Sequence, residues 1–143
     1  FEPGTPRIAE AIALAEAVRF VTEIGLDRIA ATEHVLAERL HAALAGLPGI
    51  RVLGGSAGAA GQRVALASVV VDGVHAHDAG QVLDDQGIAV RVGHHCAQPL
   101  HRRLGATASV RLSAGVHTTA EELDRAVAAV AGIRSFFGLD TGR

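Results

Sequence analysis

The sequence predicts one α+β domain in which helices pack on a small, mainly antiparallel sheet. Apolar residues recur at helical spacing at both ends of the chain, short alternating segments lie between them, and the resulting order is ααββαβ(loop)βα. With 143 residues, 49% of them apolar, the chain is long enough for one cored domain and too short for two of ordinary size.

Pro6 stands where a helix can begin, and Ala11, Leu14, Val18 and Val21 follow at helical spacing until Gly25 stops the run. A second stripe, Ile29, Leu36, Leu40, Leu44 and Leu47, ends near Pro48-Gly49, so two amphipathic helices are expected. Arg51–Leu53 and Val64–Val71 read as strands. The small-residue loop from Gly54 to Gly61 joins them. Because it leads towards a strand rather than a helix, it reads as a hairpin connector and not as a phosphate cradle.

His75-Ala76-His77-Asp78 opens a short helix carrying Val82 and Leu83 and closed by Gly87, with His77 or Asp78 near its N-terminus. Ile88–Val92 reads as a strand with Ile88, Val90 and Val92 on one face and Ala89 and Arg91 on the other. After a loop and a short segment from Pro99 to Leu104, Ser109–Ser113 alternates likewise. Val110 and Leu112 are expected inward, and Ser109, Arg111 and Ser113 outward. Thr119-Ala120-Glu121-Glu122 is a capping-box pattern for a last helix that buries Leu123, Val127, Val130 and Phe137 and ends at Gly138.

A net charge of −2, with no arginine run interleaved with aromatics, argues against nucleic acid. The longest apolar run, Val64–Val71, is far below the ~20 residues that span a bilayer. A lone cysteine makes no internal disulfide and no signal-peptide pattern opens the chain, so a reducing cytoplasm is the expected location. All 13 basic residues are arginines. No side chain here can therefore form a Schiff base. The chain has no methionine, which points to part of a longer polypeptide.

The chemistry concentrates in Arg91-Val92-Gly93-His94-His95-Cys96-Ala97-Gln98-Pro99. A thiol reacts as the thiolate, and neighbouring cations stabilise that anion, so Cys96 with His94, His95 and Arg91 is a candidate nucleophile. The bland alternative is a small buried hydrophobe. Zinc is disfavoured even with His101 five residues on, because adjacent His-His-Cys ligands diverge and the usual spacing is missing. Arg91 and Arg111 suit a carboxylate or phosphate, since a guanidinium fork binds either bidentately; otherwise they are solvated surface charges.

Several motifs in order, Phe1-Glu2-Pro3-Gly4-Thr5-Pro6, His75-x-His77-Asp78, Leu83 to Arg91, Gly93-His94-His95-Cys96-Ala97 and the Arg111 strand, resemble the C-terminal segment of type II (SUF-type) cysteine desulfurases. These are pyridoxal-phosphate enzymes of the class V aminotransferase group. The resemblance implies that residues 1–143 form a single domain, the C-terminal part of a fold type I enzyme whose large cofactor-binding domain lies outside this chain. It implies pyridoxal 5′-phosphate as cofactor, L-cysteine as substrate, a sulfur-acceptor protein of iron–sulfur cluster assembly as partner, and a homodimer.

By motif position, Cys96 takes the substrate's sulfur as a persulfide and alanine is left. Arg111 matches the arginine that holds the substrate carboxylate, and Arg91 a second arginine at the active site. Thr5, with Gly4, matches a turn reaching the cofactor phosphate of the neighbouring subunit. His77 matches a histidine that some members present to a zinc-bearing acceptor, and it reads equally well as a helix-start residue. One departure stands out: after Ser113 the family runs through aromatics, whereas this chain has Ala114-Gly115-Val116-His117. A selenocysteine lyase, another class V enzyme, or a non-catalytic sulfur-carrier module remain alternatives.

Overall fold

Helix α1 (Ile8–Ile24) and helix α2 (Leu26–Ala45) follow one another across Gly25 alone. Both were expected from their stripes, but they differ in what they cover. In α2 the four-residue spacing puts Leu36, Leu40 and Leu44 on one buried face, with Ala37 beside them. None of the residues of α1 is buried, and Ile8, Ile12, Leu14, Val18 and Phe20 each expose more than half of their surface. The periodicity correctly predicts the α1 helix, but its apolar side meets no core among the described residues. The computed structural model describes residues 4–54 and 64–139. The first three residues of the Phe1–Pro6 motif, and the glycine loop from residue 55 onwards, lie outside them.

Four strands, β1 (Ile50–Val52), β2 (Leu66–Val71), β3 (Arg91–Gly93) and β4 (Ser109–Ser113), form one sheet in the order β1-β2-β4-β3. All three pairings are antiparallel, so the expected fold class holds. Burial alternates residue by residue along β2, with Ala67, Val69 and Val71 turned to the core and Leu66, Ser68 and Val70 to the other face. Val110 and Leu112 of β4 join the core face. There they meet Leu44 of α2, Leu83 of α3 (Ala76–Asp84), and Leu123, Val130 and Ile133 of α5 (Ala120–Phe136).

The third strand is shorter than expected. Ile88 and Val90 are half-buried and Ala89 is exposed, as the alternation requires, yet ladder pairing begins only at Arg91. Burial alone produces the pattern over residues 88–90. Helix α3 lies so close to β3 that a Cβ on Gly80 would sit 2.5 Å from Val92 Cγ1. Glycine is therefore what lets this helix back onto the strand that leads to the cysteine loop.

The capping box of α5 is formed. Thr119 Oγ1 accepts from the Glu122 N–H at 3.2 Å, and Glu122 Oε2 accepts from the Thr119 N–H at 2.9 Å. Its inward face is Leu123, Ala129, Val130 and Ile133, with Val127 only half-buried. Phe137, expected in the core, caps the helix end 40% exposed and stacks edge-on with Phe136 instead. Ile133, one turn earlier, is fully buried. An exposed bidentate pair, Arg39 to Asp124, ties α2 to α5. Among the described residues, no helix is long and apolar enough to cross a membrane.

Candidate active site

The second face of the sheet is polar, and the site is built on it. Arg91 and Arg111 are direct cross-strand partners, so two guanidiniums leave neighbouring strands on the same side. Like charges directly opposite one another are destabilising unless an anion lies between them. Among the described residues neither arginine has a carboxylate partner, and Arg111 Nε is buried with no hydrogen-bond acceptor. An unsatisfied buried N–H costs about 1–3 kcal/mol, so this pair is poised to gain from a bound anion.

Beyond Arg91, the chain leaves β3 at Gly93, with φ 113°, and turns sharply. His95 (φ 51°) and Cys96 (φ 60°) are the non-glycine residues with positive φ among the described residues. Each such residue costs about 1–3 kcal/mol, and strain of this kind persists where the surroundings enforce it. The Ala97 N–H donates to the His94 carbonyl at 2.8 Å and closes the turn. Cys96 is exposed at its tip. The reading of a small buried hydrophobe is therefore excluded for this cysteine.

Helix α4 (Gln98–Arg103) follows at once, with Pro99 in its first turn. It lies across the polar face. Arg51 of β1 reaches over to its end and donates to the carbonyls of Leu104 at 2.9 Å and Gly105 at 3.1 Å, satisfying groups that a helix C-terminus leaves open. His101 of α4 and Ser109 of β4 are buried beneath, at 5% and 0% exposure. Ser109 was expected outward. It does point off the apolar core, but α4 and the cysteine turn cover it.

Three imidazoles gather here: the His94 ring meets His101 edge-on at 5.8 Å, and the His95 ring lies 5.7 Å from it. His95 Nε2 lies 3.1 Å from Ser109 Oγ, and His101 Nε2 lies 2.9 Å from the same oxygen. Burial, then the Arg111 guanidinium and His101, push His95 below the ordinary imidazole range, against the raising effect of a hydrogen bond to the Ser109 backbone. The neutral form of His95 is accordingly favoured by its surroundings. Arg91 and Arg111 bring two guanidiniums to the sheet beside this turn.

The structure thus brings Cys96, His94, His95, Arg91 and Arg111 to one corner of the sheet. His77 stands exposed in the first turn of α3, stacked on His75 with ring centroids 5.2 Å apart, and its N–H donates to His75 Nδ1 at 3.3 Å. Thr5 and Gly4 precede α1 and are exposed. Sequence reasoning weighed His101 only as a metal ligand and missed its pairing with Ser109. Their shared face becomes visible only once α4 is laid over β4.

Residues 1–126 match the family model described as aminotransferase class-V. The chain is 46% identical over 138 residues to a probable cysteine desulfurase 2 of Mycobacterium leprae, covering 96% of this chain and 32% of that protein. It is 44% identical, with the same coverage, to a probable cysteine desulfurase of Streptomyces coelicolor. It superposes on the apo cysteine desulfurase of Thermococcus onnurineus with a TM-score of 0.86 at 36% identity, over 95% of this chain and 33% of that one. The chain spans about a third of the length of the curated relatives it matches.

Proposed function

Since the chain belongs to the class-V aminotransferase family, we propose that it is the C-terminal, persulfide-bearing part of a cysteine desulfurase. The observation that carries the reading is the exposed Cys96 at the tip of a strained turn, beside two arginines that face each other with no carboxylate between them. The relatives named as cysteine desulfurases support it. Seven large apolar side chains on α1 and at the start of α2 are exposed, as a surface covered by further parts of a larger enzyme would be. That exposure weighs against a free-standing carrier module.

Pyridoxal 5′-phosphate is the family's cofactor, and this chain's residues fit a supporting role towards it. Without lysine the chain has no amine to bond the cofactor's aldehyde. It does offer the unpartnered Arg111 Nε, with Arg91 opposite, for the substrate carboxylate. Thr5 and Gly4, exposed ahead of α1, are the residues proposed for the phosphate of a neighbouring subunit in a homodimer. Bound, the cofactor supplies an electron sink that weakens the Cβ–S bond of L-cysteine.

Cys96 reacts as the thiolate, the nucleophilic form of a cysteine. A new S–S bond forms at Sγ as the substrate's Cβ–S bond breaks. The electron pair stays on Cβ, which takes up a proton, and alanine leaves. The persulfide is then passed to an acceptor protein of the SUF system, with His77 as the proposed contact, and the setting is cytoplasmic.

Turnover of L-cysteine against L-selenocysteine by the full-length enzyme tests the substrate. Faster alanine release from L-cysteine is expected. Release from selenocysteine alone would turn the reading to a selenocysteine lyase, and release from neither would turn it to another class V enzyme.

A further inference from the structure

His101 and Ser109 are the buried polar residues among those described, and neither belongs to the constellation that the sequence singled out. Their hydrogen bonds can be assigned a direction. The Ala97 carbonyl only accepts, so His101 Nδ1, 3.0 Å away, carries the proton and donates to it. A neutral imidazole has one proton, so His101 Nε2 accepts, and its donor is the Ser109 hydroxyl at 2.9 Å. With its single proton spent, Ser109 Oγ accepts from His95 Nε2–H at 3.1 Å. His95 is then left with a bare Nδ1, which is buried and has no partner.

The chain of bonds therefore grips the residues on both sides of the cysteine, His95 by its ring and Ala97 by its carbonyl. The His101 N–H adds a second bond to the Ala97 carbonyl at 3.1 Å. We propose that His101 and Ser109 are positioning residues for Cys96, a hydrogen-bonded clamp that holds the thiol in its positive-φ conformation and fixes His95 as the Nε2–H tautomer. The groups facing His95 are consistent with this assignment. Burial, Arg111, His101 and Arg91 all disfavour its protonated form, and only a hydrogen bond to the Ser109 backbone favours it. The clamp's effect on sulfur transfer rests on the desulfurase reading. The clamp itself does not.

The test uses the full-length, cofactor-loaded enzyme and three variants. Ser109→Ala and His101→Leu break the chain, whereas His101→Gln keeps one donor and one acceptor in place of the imidazole's. Single-turnover sulfur transfer from L-cysteine to Cys96 is expected to slow about tenfold or more in the first two, since small misplacements of a reacting group carry costs of that size. KM and cofactor content should stay unchanged, and His101→Gln should restore most of the rate. Parent rates in both broken variants, or a His101→Gln as slow as His101→Leu, would overturn the positioning role.

Two readouts need no turnover. Imidazole ¹⁵N NMR of the unmutated enzyme should show His95 protonated at Nε2 and His101 at Nδ1, and a His95 proton at Nδ1 overturns the clamp even where a variant fails to fold. Iodoacetamide alkylation of Cys96 across pH should change in Ser109→Ala and be restored in His101→Gln; superimposable profiles count against the proposal. An unmutated enzyme that moves no sulfur defeats the desulfurase reading, and these two measurements then decide the clamp alone.

Discussion

On one face of the sheet Val69, Val71, Val110 and Leu112 meet α2, α3 and α5 through apolar contact; on the other, Arg91 and Arg111 stand side by side, and Ser109 alone of the three meets the cysteine turn and α4 through directed hydrogen bonds, to His95 and His101. The apolar face is stabilised by area removed from water, which is non-directional and spread over many side chains. The polar face keeps two non-glycine residues at positive φ, two guanidiniums side by side and two buried polar atoms without partners. Taken alone it costs stability. The difference teaches that the core supports a face which is unfavourable by itself and which a bound anion would relieve.

Substitutions on the two faces should fail in different ways. Cys96→Ala has the largest expected effect: persulfide transfer to an acceptor is lost while melting temperature is unchanged, and a variant still delivering sulfur at the parent rate would remove the thiol from the reaction. Leu44→Ala, on a fully buried side chain, should cost about 2–5 kcal/mol in denaturant unfolding and leave the chemistry of surviving molecules intact. Arg111→Ala should lower kcat/KM for L-cysteine by about a hundredfold through KM and kcat together, as loss of a charge-assisted carboxylate contact does. An unfolding midpoint equal to or above the parent's would fit, since the substitution removes one of two facing cations.

The smallest effect is one of pH. His95 has a lowered folded-state value, so its neutral form is the one that folding favours. Its contribution is fully present above the unfolded imidazole value of about 6.5 and is lost as pH falls through the lower folded value. His95→Gln should therefore flatten the loss of stability on the acid side of about pH 6.5, and an unchanged acid limb would contradict the assignment.

How much could be read beforehand followed the same division. The apolar face was legible: the alternation of β2 and β4, the Leu36-Leu40-Leu44 stripe and the Thr119–Glu122 box are local patterns, and local patterns survive folding. Cys96, His94, His95, Arg91 and Arg111 were legible too, because four of them lie in one short run and the fifth is in an alternating strand. What escaped depends on which element covers which. Ser109 alternates like an exposed residue and is sealed by α4, while the α1 stripe reads as core and is exposed. Residues 88–90 alternate in burial without a ladder, which no single-strand pattern distinguishes from a true strand.

The most direct test of the central claim is a peptide mass spectrum of the full-length enzyme, loaded with pyridoxal phosphate and exposed to L-cysteine. One added sulfur atom on the Cys96 peptide, removed by dithiothreitol, is the expected result. An unmodified Cys96 peptide, with cofactor bound and alanine released, would contradict it.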